Sequence, residues 1–140
     1  MRIHVENTAG LIVDIQERLL SVMDEPDRLI QRTGVLLRGL QALEVPIVAS
    51  EQYPKGLGPT VPAVRGALGS VQPIVKAAFS CCDDAPLMSE LSNTGRNTVV
   101  IAGIEAHVCV LQTALDLVDR DFRVVVVADL VRCRQNLALA

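Results

Sequence analysis

Four short runs of consecutive apolar residues stand out along the chain, separated by longer stretches in which apolar residues recur at helical spacing. Continuous apolarity is typical of strands in a parallel sheet that is covered on both faces. A fifth, weaker run precedes Lys76. The predicted strands are 10–15, 46–50, 71–75 (the weaker run), 97–102 and 123–128.

The stretches between these runs predict helices at 27–43 and 106–118, with shorter ones at 61–68 and 85–91. The inward side chains expected are Leu29, Ile30, Leu36, Leu37, Leu40 and Leu43 in the first helix, and Val110, Ala114, Leu117 and Val118 in the second. Strand and helix alternate throughout. This alternation predicts an open α/β fold with a mostly parallel sheet and right-handed crossovers.

Composition narrows the class of protein. The chain has 140 residues, which fits one domain at 1–140. Its net charge of −3 argues against a nucleic-acid surface, which is usually basic. No apolar run reaches the roughly 18 residues needed to span a bilayer, and the first residues have no long apolar h-region, so no signal peptide is expected. We therefore expect a cytoplasmic protein, with an organellar location left open, and no membrane partner.

The cysteines indicate reduced thiols. There are four, Cys81, Cys82, Cys109 and Cys133, and none forms a CxxC pair. His107-x-Cys109 also lacks the paired spacing of a structural zinc site. We expect a reducing compartment, no metal and no cofactor.

Polar residues follow the predicted strands at the edge where ligands bind in open α/β sheets. Asp14 ends the first strand, Lys76 follows the third, Cys109 begins the helix after the fourth, and Asp129 follows the fifth. Taken singly, Asp14 is as easily a turn cap, Lys76 a lysine reaching the surface, and Cys109 a small core residue.

Together, Asp14, Lys76 and Cys109 predict a cysteine nucleophile. A helix N-terminus and a lysine ammonium both favour a thiolate, so the pKa of Cys109 is expected to fall. A nearby carboxylate can accept and return the thiol proton, and first-turn N–H groups can hold an oxyanion. Such a set suits hydrolysis of amides and related C–N bonds.

The chain resembles the isochorismatase-like cysteine hydrolases, which include nicotinamidases and N-carbamoylsarcosine amidohydrolase, and most of all their uncharacterised isochorismatase-domain branch. The matching pieces are LIVDIQ, VPIVASEQYPKGLG, VKAAFS, TVVIAGIEAHVCVLQTALDL and RVVVVAD. The resemblance implies a three-layer α/β/α, Rossmann-like fold and a triad of Asp14, Lys76 and Cys109. It also implies a cis bond between Ile104 and Glu105, with the N–H groups of Cys109 and Val108 as oxyanion candidates.

The chain departs from the patterns of its characterised relatives in three respects. Nicotinamidases carry an Asp-x-His metal pair where this chain reads Ser50-Glu51-Gln52-Tyr53, so neither a metal nor nicotinamidase activity is expected. True isochorismatases lack the cysteine, so isochorismate is not expected either. After the fifth strand the chain reads VADLVRCRQ and stops at Ala140, without the family's last helix and strand. Either the chain is truncated or oligomerisation covers the exposed edge, and we expect a homo-oligomer.

The expected function is cleavage of a small amide or carbamoyl substrate by a metal-independent cysteine hydrolase through an acyl-enzyme. Further candidate substrate contacts are Gln16, Gln52, Tyr53, Phe79 and His107. The two glutamines satisfy loop backbone groups as readily, and His107 is more easily explained as a histidine packed between subunits. One alternative is an oligomeric protein of this fold without significant hydrolase turnover. A weaker one is a nucleic-acid-processing enzyme.

Overall fold

The computed structural model describes residues 2–134. Within them, five strands form one sheet in the order β3-β2-β1-β4-β5, and every neighbouring pair is parallel. The strands are β1 (Thr8–Val13), β2 (Ile47–Gln52), β3 (Ile74–Lys76), β4 (Thr98–Ile104) and β5 (Arg123–Arg132). The open α/β class predicted from the apolar runs is confirmed.

Six α-helices are present among the described residues. They are α1 (Glu17–Leu20), α2 (Pro26–Ala42), α3 (Pro54–Leu57), α4 (Pro62–Leu68), α5 (Ala85–Asn93) and α6 (Leu111–Asp119). Proline occupies the first turn of α2, α3 and α4, where its missing N–H costs nothing. One wide π-helical turn, Ala106–Val110, precedes α6, where the sequence predicted a continuous helix. No helix of residues 2–134 is long and apolar enough to cross a membrane.

The helices cover both faces of the sheet. Leu29 and Leu37 of α2 pack with α4 against one face, while Leu91 of α5 and Leu117 of α6 pack against the other. Strands β1 and β4 in the middle of the sheet are buried at every position, whereas the edge strand β5 is buried only at its last three residues. Cover on both faces explains why β1 and β4 read as unbroken apolar runs.

Three positions differ from the sequence prediction. Leu43 is 57% exposed and Val118 is 55% exposed, although both were expected to face inward. Leu43 lies just beyond the last residue of α2, and Val118 lies in the last turn of α6. Asp129 lies inside β5 instead of after it, and its exposed carboxylate accepts a hydrogen bond from Arg32. Asp129 is therefore absent from the polar edge of the sheet.

Candidate active site

Three elements bring Asp14, Lys76 and Cys109 together at the carboxyl edge of the sheet. Asp14 directly follows β1, Lys76 ends β3, and Cys109 lies in the π-helical turn after β4. Lys76 Nζ lies 2.9 Å from Asp14 Oδ2 and 3.6 Å from Cys109 Sγ. The Asp14 and Lys76 side chains are both 0% exposed. The structure thus places an ion pair directly against a buried thiol.

Oxygen acceptors surround the Lys76 ammonium. Nζ donates to Gln52 Oε1 at 2.7 Å and to the carbonyl oxygens of Ala78 and Phe79, both at 2.9 Å. A buried charge is tolerated when a counter-ion and hydrogen bonds replace its water. The loop after β3 and the Gln52 amide therefore keep Lys76 beside the sulfur instead of letting it reach the surface.

Asp14 presents its two oxygens to different partners. Ser50 Oγ donates to Oδ1 at 2.7 Å. Oδ2 lies at ion-pair distance from Lys76 but receives no directed hydrogen bond, although it is fully buried. One oxygen is thus anchored, and the other keeps a lone pair that can accept a proton.

The Cys109 thiol is neutral in this arrangement, which corrects the expectation of a lowered pKa. Burial, with a further contribution from the negative charge of Asp14, raises the pKa of Cys109 to about 12, and the Lys76 cation only partly opposes this. The cysteine lies 6% exposed, so desolvation outweighs the nearby cation. Any nucleophilic role requires the proton to leave as the sulfur attacks.

A second thiol lies behind the ion pair. Cys81 Sγ is 3.8 Å from Ser50 Oγ, and the Cys81 N–H donates to Thr113 Oγ1 at 2.9 Å. Burial is the largest cause that raises the pKa of Cys81 to about 11. Neither Ser50 nor Cys81 was predicted to belong to the site. The available signal was the position of Ser50 at the end of the predicted strand 46–50; in the structure it pairs with Val13, the residue before Asp14.

Cys109 opens onto a cavity of about 340 Å³. The cavity is lined by Leu19, Gln52, Leu57, Phe79, Glu105, Val108, Cys109 and Arg134. Of the five candidate substrate contacts, Gln52 and Phe79 lie on this wall. Tyr53, which is 59% exposed, and His107, also exposed, are not among the lining residues.

The two glutamines are engaged inside the protein. Gln16 Nε2 donates to the carbonyl oxygens of Gln52 and Gly58, both at 2.8 Å, and Gln16 Oε1 accepts from the Gln52 N–H. Gln52 Nε2 donates to the carbonyl oxygen of Ala77, and its Oε1 is taken by Lys76. As expected for the structural alternative, both amides hold the loops around the site. Gln16 uses both of its amide N–H groups, whereas Gln52 uses one and keeps the other.

The bond between Ile104 and Glu105 is cis. The N–H groups of Val108 and Val110 both donate to the carbonyl oxygen of Glu105, at 3.1 and 3.2 Å. The Val108 N–H was one of two oxyanion candidates, and this bond removes it, because a donor already used in the turn is not available to a ligand. Cys109 remains as the other candidate.

No three His, Cys, Asp or Glu side chains of residues 2–134 converge in a way that could hold a metal ion. In the segment where nicotinamidases bind their metal, the Glu51 carboxylate accepts hydrogen bonds from the Thr60 N–H and hydroxyl, at 2.7 and 2.6 Å. This acidic side chain therefore ties β2 to the loop before α4.

Known structures share this fold. The MAR1 ribonuclease from Caenorhabditis elegans superposes with a TM-score of 0.90 at 38% identity, covering 99% of this chain and 71% of that chain. The YcaC gene product from Escherichia coli, described as an octameric hydrolase of unknown specificity, gives 0.88 at 26% identity, covering 98% of this chain and 69% of its own.

Relatives in sequence define the family. Isochorismatase domain-containing protein 2 is 35% identical over 135 residues in Danio rerio, covering 96% of this chain and 68% of that protein. The Macaca fascicularis protein is 39% identical over 127 residues, covering 90% and 60%. The isochorismatase domain family matches residues 8–136. The chain belongs to the isochorismatase domain family, and it spans between 60% and 71% of the lengths of the four relatives named here.

Proposed function

We propose that this chain is a metal-independent cysteine hydrolase that cleaves the C–N bond of a small amide or carbamoyl substrate. One observation carries the proposal: Cys109 faces a cavity of about 340 Å³ while Lys76 Nζ lies 3.6 Å from its sulfur and Asp14 pairs with that lysine. A nucleophile, a proton acceptor and a fixed cation at one point suit acyl transfer.

The first half of the reaction forms an acyl-enzyme. Asp14 accepts the thiol proton as Cys109 Sγ bonds to the carbonyl carbon, and Lys76 stabilises the negative charge that develops on sulfur. The backbone N–H of Cys109, the oxyanion donor that remains after Val108 is removed, holds the oxyanion. When the C–N bond breaks, Asp14 returns the proton to the leaving nitrogen, and ammonia or an amine departs.

The second half restores the thiol. Water attacks the thioester carbon while Asp14 takes one of its protons, and the C–S bond then breaks. The proton on Asp14 passes to the departing sulfur, and a carboxylic acid (carbamic acid from a carbamoyl substrate) is released. Because the resting pKa of Cys109 is about 12, proton removal by Asp14 has to accompany attack.

A screen of small primary amides and carbamoyl compounds for ammonia release tests this proposal. Cys109→Ser should lower turnover by about a thousandfold or more, because the serine hydroxyl is a much weaker nucleophile and the triad works only as a unit. Cys82→Ser, which changes a buried thiol with no contact to the ion pair, should keep activity. Wild-type turnover in Cys109→Ser would refute the proposal.

An oligomeric protein without turnover is the second candidate, and a surface feature favours its assembly. Leu111, Leu115 and Val118 form an exposed apolar row on α6, each at least 46% exposed. The octameric state described for the Escherichia coli relative makes self-association our expectation for this chain too. Sedimentation velocity measures the assembly. A stable oligomer that hydrolyses no compound and gains no acyl group on Cys109 would favour this candidate over the hydrolase.

Nucleic-acid cleavage is a third candidate, because the Caenorhabditis elegans relative is named a ribonuclease. The net charge of −3 does not favour RNA binding. Incubation with labelled mixed RNA decides the matter. Cleavage that disappears in Cys109→Ser would assign ribonuclease chemistry to this site, and intact RNA would remove the candidate.

A further inference from the structure

The cavity at Cys109 holds one carboxylate that the proposed reaction does not use. Glu105 lines the cavity, four positions before Cys109 and directly before the π-helical turn. Its side chain is only 11% exposed. A carboxylate that is largely removed from water needs donors to replace the lost hydration.

The rest of the cavity wall offers few polar groups. Leu19, Leu57, Phe79 and Val108 supply apolar surface. The Gln52 amide is used at both ends by Lys76 and Ala77. Among the described lining residues, the charged side chains are Glu105 and Arg134. These two can contact the part of a ligand that extends beyond Cys109.

Arg134 satisfies Glu105 only in part. Its Nε lies 3.5 Å from Glu105 Oε1, which is longer than the roughly 2.7–2.9 Å of a charge-assisted hydrogen bond. The Arg134 side chain is 65% exposed, whereas Glu105 is almost covered. An exposed arginine can turn into solvent at little cost, so a better donor can replace it at the carboxylate.

We propose that Glu105 binds a cationic nitrogen group of the substrate. The ligand that fits has an apolar body against Leu19, Leu57 and Phe79 and an ammonium or guanidinium end at Glu105. Its amide carbonyl lies at Cys109, and this last part rests on the proposed hydrolase function. Arg134 leaves the carboxylate when the ligand enters.

The charge preference of the cavity can be measured without a substrate. Three methanethiosulfonate reagents, aminoethyl (cationic), methyl (neutral) and sulfonatoethyl (anionic), attach to thiols. The rate at Cys109 is read by peptide mass spectrometry and divided by the rate with glutathione. The corrected labelling rate of the cationic reagent should exceed that of the anionic reagent by about tenfold or more, since the largely buried charge of Glu105 acts strongly at short range.

Variants locate the source of the preference. Glu105→Gln keeps the shape and removes the charge, so the cation-to-anion ratio should fall to one or below. Arg134→Ala frees the carboxylate and should raise the ratio. Glu90→Gln, an exposed carboxylate that lines a different cavity, should leave it unchanged. A wild-type ratio of one or less, or a ratio that Glu105→Gln does not alter, would overturn the proposal.

A second arm separates this inference from the hydrolase proposal. 4-Aminobutanamide, pentanamide and succinamate are amides of matched length with cationic, neutral and anionic ends. Preferred turnover of 4-aminobutanamide that Glu105→Gln abolishes supports both. Equal turnover of all three would reject the role of Glu105 and keep the hydrolase. Charge-selective labelling of Cys109 without hydrolysis of any amide would keep the Glu105 site and count against the hydrolase.

Discussion

Ser50 fixes the orientation of Asp14. Ser50 is 2% exposed, and its hydroxyl donates a hydrogen bond to Asp14 Oδ1 at 2.7 Å. With Oδ1 held, Oδ2 is the oxygen that faces Lys76. The carboxylate therefore cannot rotate freely, and the oxygen that we propose as acceptor of the thiol proton keeps its place.

Removing this hydroxyl should slow the reaction. Ser50→Ala is expected to lower turnover by about tenfold to a hundredfold, because a loosely held Asp14 accepts the proton less efficiently. Ser50→Thr keeps the donor and should restore most of the rate, with thermal melting as the check that both variants fold. If Ser50→Ala and Ser50→Thr lose activity equally, the hydroxyl does not act through Asp14.

Individual residues differ in how far the sequence could place them. Asp14, Lys76 and Cys109 could be grouped because parallel strands end at one edge of the sheet. The raised pKa of Cys109 could not be predicted, since it depends on how deeply the thiol is covered. The hydrogen bond from the Val108 N–H to the Glu105 carbonyl could not be predicted either, because it depends on the backbone geometry of one turn.

At the scale of elements, the site depends on the close approach of β1 and β4. Gly103 of β4 has φ of +143°, and a Cβ there would meet Val13 O at 2.2 Å and Val13 N at 2.7 Å. Val13 directly precedes Asp14 in the chain. The glycine thus allows the strand that leads to Cys109 to lie against the strand that leads to Asp14.

Gly103→Ala should be strongly destabilising, by about 2–4 kcal/mol, because the backbone of β1 has to move and the φ is unfavourable for alanine. Gly39→Ala in α2 is a matched control, since its Cβ would meet nothing within 4 Å. That control should stabilise by about 0.5–1 kcal/mol. Urea unfolding measures both, and equal effects of the two substitutions would contradict this role of Gly103.

Elements were predictable where burial is continuous. Strands β1 and β4 are covered on both faces, so their apolar runs were unambiguous. Helical spacing identified the inward face of α2 but not its end, and Leu43 was misplaced for that reason. The short helices α1 and α3 contain only four residues each, too few for a period to appear.

At the scale of the whole molecule, the buried thiols link stability to pH. The pKa of Cys109 is raised to about 12 and that of Cys81 to about 11, from 9.0, with burial as the main cause. The folded protein holds these protons more tightly than the unfolded chain. This contribution is complete below pH 9 and is lost as the pH rises through 9 toward 12.

The wild type should therefore lose stability above pH 9, by about 1.4 kcal/mol per pH unit for each thiol. Cys109→Ala and Cys81→Ala should each remove the contribution of one thiol to this dependence of unfolding free energy on pH. Urea midpoints at pH 7, 9 and 10 under reducing conditions provide the measurement. An alkaline slope that is the same in the wild type and both variants would show that the thiols are not linked to folding.

The most direct test of the account is the pH dependence of Cys109 alkylation by iodoacetamide, resolved by mass spectrometry, in the wild type, Lys76→Met and Asp14→Asn. Lys76 lowers the pKa of the thiol and Asp14 raises it. Alkylation should therefore be slower than for an ordinary thiol in the wild type, slower still in Lys76→Met, and faster in Asp14→Asn, which should nevertheless lose hydrolysis. Equal rates in the three proteins would contradict the claim that Asp14 and Lys76 govern the nucleophile.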